Sequence, residues 1–279
     1  MGDWTGDLED LVAHMRAGET EIGRRMFETR RPRRQHLAWL RFQIAREARN
    51  LEEIADHHLC RLAESTETSS TREELVHRLM EDYQEARHYA MLAYVYEGLG
   101  GEPLRWKMLR EEIKTAAWYE ASRREHARWD DFRRAGATLE LAAALYTRGG
   151  GGALFCGFVG LGGGDYETLL AEASKVILKD ELEHGASEGR DQLFGLIRNG
   201  EDVETARRVI VEMSGIRLRM RNEQFSRVLP DARLKEIEAG SIAPLTVPAM
   251  RAACSSTTAD WFALYHARPK PLSSASLSD

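Results

Sequence analysis

Asp82-Tyr83-Gln84-Glu85-Ala86-Arg87-His88 and Lys179-Asp180-Glu181-Leu182-Glu183-His184 are the two stretches on which the fold of this chain turns. Each sets a Glu and a His three residues apart inside a segment of helical pattern. Positions i and i+3 share a helix face, so each pair can offer a carboxylate and an imidazole to one cation. Two such pairs, completed by one Glu from each of two further helices, make a two-metal constellation inside a four-helix bundle. Glu52 and Glu140 are the residues expected to complete it.

Spacing alone does not decide the matter. Glutamate is abundant beside 9 histidines, so chance supplies pairs of this kind. Glu74 and His77 form a third pair, but Glu74 lies three residues after Thr71 at a helix start, where it serves as half of a capping box. Glu85 and Glu181 lie well inside their helices and have no such local task. The loop before the second helix centres near Thr68, with Glu85 17 residues after it and Glu52 16 residues before it. In an antiparallel hairpin those two positions stand at the same height. The helical neighbours of Glu52 are Ala48, Ala55 and Leu59, and a carboxylate on an apolar row is costly to bury unless it is paired or holds a cation. Adjacent Glu53 shares its face with Arg46, Arg49, Asp56 and His57 and reads as solvated.

Glu140 sits among Gly136, Ala137, Ala143 and Ala144, an open apolar face with space for a metal and a substrate; a salt-bridged carboxylate is the plainer alternative. Glu140 and Glu181 are 41 residues apart against 33 for Glu52 and Glu85, so the glycine-rich tract Gly149–Gly164 has to take up the difference. It reads either as a lid or wall beside the site or as a long connection. Four carboxylates and two neutral imidazoles balance two divalent ions, and these ligand types suit iron or manganese. Asp180 is the expected outer hydrogen-bond partner of a metal-bound His, with Asp82 a weaker candidate.

Outward from these motifs the chain reads as all-α. One or two amphipathic helices cover 5–30, and four long ones cover about 35–63, 71–98, 121–148 and 165–198. Further helices follow at 203–225, 231–239 and 248–266, and the Pro- and Ser-rich tail 269–279 reads as frayed. Two long hairpins joined by a crossover at 104–120 give one helical domain over 1–268, its bundle core at 35–198. The arginines at 207, 208, 217, 219 and 221 read as a solvated basic face or, less simply, as a receptor for an anionic group. Met213, Met220, Trp261, Phe262 and Tyr265 read as core or as a homodimer interface.

The net charge of -6 gives no reason to expect nucleic acid, and no window is apolar enough for a membrane span. Three widely spaced cysteines and an N-terminus without a basic-apolar leader point to a reduced, cytoplasmic setting.

Glu85-Ala86-Arg87-His88 has the E-x-R-H form and Asp180-Glu181-Leu182-Glu183-His184 the D-E-x-x-H form, so the chain resembles the ferritin-like di-iron carboxylate superfamily. The second and fourth helices look most like those of phenylacetyl-CoA epoxidase catalytic subunits and related oxygenases, where a Glu-x-x-His helix also runs into a segment ending in Leu-Gly, here Leu92 to Gly100. That resemblance covers about 35–195. It implies two iron ions, or an iron–manganese pair, O2 as co-substrate, a small organic substrate and electrons from a separate reductase. A radical-generating reductase subunit would carry Tyr four residues after His88, where this chain has Leu92. Iron storage and a metal-free helical scaffold are the competing readings.

Overall fold

Every regular element among the described residues is helical. The structure, a computed structural model, describes residues 4–48, 69–104, 117–148, 151–183 and 188–255. In order, the helices are α1 (Trp4–Glu28), α2 (33–48), α3 (Ser69–Gly98), α4 (Ala117–Arg134), α5 (Thr138–Arg148) and α6 (Gly151–Cys156). There follow α7 (Asp165–Glu183), α8 (Glu188–Leu196), α9 (Gly200–Gln224), α10 (Asp231–Glu238) and α11 (Val247–Cys254). No helix among the described residues is long and apolar enough to cross a membrane. The chain groups into two compact units, one of 1–31, 116–162 and 174–258, the other of 32–115, 163–173 and 259–279. α7 begins in the second and ends in the first.

In the first unit α9 is the central helix, packed against α1, α4, α5 and α10. Its start is set by Asn199, whose Oδ1 accepts from the backbone N–H of Glu201 and Asp202, the two acidic residues of the first turn. That cap begins the helix at Gly200, three residues before the first apolar position from which the periodicity places it. Leu8 and Val12 of α1, Trp129 and Phe132 of α4, Tyr146 of α5 and Val209, Ile210 and Met213 of α9 share one core. The basic face expected on α9 is split by burial. Arg217 and Arg221 are buried, Arg217 bonding the Thr147 carbonyl and Glu125 at 2.9 Å, and Arg221 lying 3.6 Å from Glu19. Burial acts to lower the Arg217 pKa, and the fields of Glu125 and Glu19 more than offset it. Arg219 stays exposed, 2.5 Å from Glu238.

Two expectations from the sequence are revised here. The helix expected over 121–148 is two helices, because Gly136 adopts φ +61° and closes α4 with Ala137 N–H bonded to the Phe132 carbonyl and Gly136 N–H to Arg133. The glycine-rich tract is helical over 151–156, with Ala153, Leu154 and Phe155 buried. A Cβ at Gly157, just past that turn, would lie 2.6 Å from the Thr20 carbonyl oxygen and 3.0 Å from the Arg24 nitrogen. Thr20 Oγ1 donates to the Ala153 carbonyl at 2.5 Å. The tract lets two backbones meet where a side chain would hold them apart.

In the second unit α2 and α3 run antiparallel, since Arg33 meets the end of α3 and Glu47 meets its middle. Arg33 Nε donates to the Leu99 carbonyl at 2.7 Å. There α3 ends on Gly100 at φ +85°, with the Gly101 N–H bonded to Tyr96 and the Gly100 N–H to Glu97. Trp39, Leu40 and Ile44 of α2 and Met91, Leu92 and Val95 of α3 are fully buried. The Tyr166 hydroxyl of α7 lies 3.3 Å from His36 Nδ1, and burial holds that phenol well above its ordinary pKa.

Candidate metal site

The hairpin of α2 and α3 brings Glu47, Glu85 and His88 together. One donor atom from each side chain, two carboxylate oxygens and an imidazole nitrogen, lies within 4.8 Å of the others. Among the described residues this is the one group of three or more metal-capable side chains so placed. Glu85 and His88 share a face of α3 through their i, i+3 spacing, and Glu47 reaches them from α2.

Burial gives the cluster its meaning. His88 is 0% exposed, Glu47 is 6% exposed, and Glu85 is half-buried. Two carboxylates this close repel one another as anions, and withdrawing them from water adds a desolvation cost of several kcal/mol per ion. A divalent cation offsets both terms, and neutral imidazole completes a ligand set suited to iron, manganese or zinc. Gln43, one turn before Glu47 and 2% exposed, donates its amide to Glu47 Oε1 at 2.5 Å. A ligating carboxylate is commonly oriented by such a bond. The residues fit one ion.

The expected ligands fare differently. Glu85 and His88 stand together as read. Glu52 and His184 lie outside the described residues. Glu140 is half-buried in the first turn of α5, directly after the break at Gly136, with Ala143 and Ala144 one turn on and buried. A carboxylate there also has a local role, because the N-terminal dipole of α5 favours negative charge. It adds a small part to the field that raises the Arg128 pKa, behind the hydrogen bond that Arg128 donates to Glu212. Asp180 is 3% exposed and Glu181 half-buried on α7, the latter with its Cβ 3.2 Å from the position a Gly152 Cβ would take. Asp82 is half-buried one turn before Glu85. Glu140, Asp180 and Glu181 belong to the first unit, and Glu47, Glu85 and His88 to the second.

Glu47 is the candidate donor that sequence reasoning misses. It lies three residues after Ile44 and seven after Leu40, on the buried stripe of α2. The criterion that selects Glu52, a carboxylate on an apolar row, selects Glu47 equally. Height in the hairpin favours Glu52 only if the connection centres on Thr68; positions 47 and 85 centre on 66. A shift of two residues in the loop centre brings Glu47 level with Glu85.

No known protein family, curated protein or solved structure matches the chain.

Proposed function

We propose that this chain is a non-haem iron oxidoreductase, an O2-dependent oxygenase or oxidase of the ferritin-like di-iron carboxylate type, acting on a small organic substrate. The observation that carries the reading is the Glu47–Glu85–His88 group on one helical hairpin. Iron bound there would supply the redox chemistry, as metals do in such enzymes, and the chain supplies geometry and a dry surrounding.

Each residue of the group has its own task. Glu47 and Glu85 bring the negative charge that a divalent ion needs, and His88 adds a neutral nitrogen donor. Gln43 holds the Glu47 carboxylate in one orientation through its 2.5 Å bond. Ile44, three residues before Glu47, and Met91 and Leu92, three and four residues after His88, are fully buried. The donors therefore stand on an apolar stretch of the hairpin, where charge interactions are strengthened. Glu140, Glu181 and His184 are the ligands proposed for a second ion, with Asp180 as a partner of His184. Manganese is the alternative metal in one position, and a separate reductase is the proposed electron source.

Metal content after anaerobic Fe(II) loading, followed by an optical spectrum on exposure to O2, tests this reading. The expected result is stoichiometric iron, lost from the hairpin in Glu85→Ala and His88→Ala, with a new absorption band on oxidation. One ion per chain that is indifferent to Glu181→Ala would reduce the site to a mononuclear centre. Iron uptake far beyond stoichiometry would favour storage. No bound metal in the wild type, or retention of all metal in both hairpin variants, would overturn the proposal.

A further inference from the structure

The side of α3 that turns away from the metal donors is apolar and open to water. Val76, Leu79, Met80 and Tyr83 are 58%, 44%, 59% and 63% exposed, and among the described residues they are the only exposed large hydrophobic side chains. They are not scattered. Their spacing of i, i+3, i+4 and i+7 lines them up on one stripe of the helix. At about 100° per residue, Glu85 and His88 stand roughly 140–200° round the helix from Tyr83, so the stripe and the candidate metal site are separate surfaces of one element.

A single exposed leucine needs no explanation, but four apolar side chains in one contiguous stripe mark a surface that something covers. The ends of the stripe say what. Glu73, three residues before Val76, is exposed. Arg87, four residues after Tyr83, has its Cζ 5.7 Å from the centroid of that exposed ring. Glu73, Val76, Met80, Tyr83 and Arg87 thus repeat at intervals of three and four, the spacing of a helix–helix seam. One end of the seam is acidic and the other basic.

Glu73 and Arg87 are each seven residues from Met80. A second α3 laid antiparallel across Met80 sets Glu73 of each copy at the height of Arg87 of the other. It sets Val76 of each near Tyr83 of the other. The stripe is therefore complementary to itself under a two-fold rotation, whereas a parallel arrangement would oppose like charges. A lipid surface or a partner of one charge sign would match only one end. Met, Tyr and Arg are also residue types enriched in interfaces.

We propose that the exposed stripe of α3 is a self-association surface. A second copy of this chain docks on it antiparallel through Val76, Leu79, Met80 and Tyr83, and two Glu73–Arg87 ion pairs close its ends. The exposed parts of four side chains fall short of the about 800 Å² per partner of a standard interface, so the dimer dissociates on dilution. This surface stands whether or not the hairpin holds a metal.

Sedimentation velocity of the full chain, from micromolar to hundreds of micromolar, tests it. The wild type should pass from monomer to dimer across that range. Met80→Glu places two like charges beside the two-fold axis and should raise the dissociation constant at least tenfold, with the circular dichroism spectrum unchanged. Glu73→Arg and Arg87→Glu should each raise it at least threefold. The double variant Glu73→Arg/Arg87→Glu reverses both ends and should return the constant to the wild-type value. If the variants at 87 do not fold, Met80→Glu and Glu73→Arg, both at exposed positions, carry the test. A dimer indifferent to Met80→Glu or to Glu73→Arg, or a folded double variant weaker than both singles, would overturn the proposal. A monomeric wild type that floats with phosphatidylserine-containing vesicles would overturn it in favour of a lipid surface. One that neither dimerises nor floats would overturn it in favour of cover from the same chain.

Discussion

The amide of Gln43 donates to Glu47 Oε1 at 2.5 Å across one turn of α2, and both side chains are buried. In an empty site this bond merely lessens the cost of a buried carboxylate. In a loaded site it fixes which oxygen faces the ion. Replacing Gln43 by Leu should therefore weaken metal binding by about 10–100-fold while leaving the helix content intact. Titration with Fe(II) or Mn(II) beside circular dichroism measures both. Unchanged affinity would mean that Glu47 does not ligate.

Gly157 predicts a packing defect rather than a loss of chemistry. An alanine there would place its Cβ 2.6 Å from the Thr20 carbonyl oxygen, and backbone cannot yield as a flexible side chain does. Gly157→Ala should cost about 1–3 kcal/mol, the usual range for overpacking a filled interior. Urea unfolding measures the loss, with metal content as the control that should stay constant.

The contrast between these two positions shows what could be read in advance. Leu40, Ile44 and Ala48 announce α2 by their spacing, and Glu85 and His88 announce a shared face, because helical period is written in every turn. Glu47 was equally visible as an acid on that stripe, but placing it level with Glu85 needed the centre of a connection to within two residues. Side-chain period does not encode that. The helix at 151–156 opposes local preference, since glycine weakens a helix by about 1 kcal/mol relative to alanine. What favours it is contact with Thr20 and Leu178, residues distant in sequence. Arg217 and Arg221 look solvated for the same reason: Glu125 and Glu19, which pair with them, lie on other helices.

Ser226 and Arg227 follow α9 with φ of 61° and 55°, a left-handed pair without glycine. Asn222 holds them there, its Nδ2 donating to the Leu229 carbonyl and its Oδ1 accepting from the Leu229 N–H. A left-handed residue with a Cβ costs roughly 1–2 kcal/mol, and glycine returns part of that as lost chain entropy. Ser226→Gly should thus stabilise the protein by about 0.5–1 kcal/mol. Gly136→Ala supplies the reverse experiment, at φ +61° with nothing within 4 Å of the added Cβ. It should destabilise by about 1 kcal/mol through backbone strain alone. A destabilised Ser226→Gly would show that the serine hydroxyl contributes more than the strain costs.

Glu21 and Arg233 tie α1 to α10, with Arg233 Nη2 2.8 Å and Nε 3.1 Å from the two carboxylate oxygens. The Glu21 side chain is 5% exposed and that of Arg233 28%, so solvent screens the pair only in part. The hydrogen bond from Arg233 is the main reason that the Glu21 carboxyl titrates below the usual carboxylate range, ahead of an opposing contribution from burial. A carboxylate whose folded pKa is depressed adds stability that is fully present above its unfolded pKa, roughly 4.3. That contribution is lost as pH falls through the folded value. Wild-type stability should therefore drop on acidification below about pH 4.3. Arg233→Met should cost about 1–3 kcal/mol at pH 7, because it removes hydrogen bonds to a charged and largely buried group. It should also flatten the acid limb, since Arg25 at 3.7 Å is half-exposed and replaces little of what is lost. Urea unfolding of both proteins at intervals from pH 7 to pH 3 reads the two slopes. Parallel curves would show that Glu21 titrates at the same pH with or without its arginine, and would remove the pair from the account of acid stability.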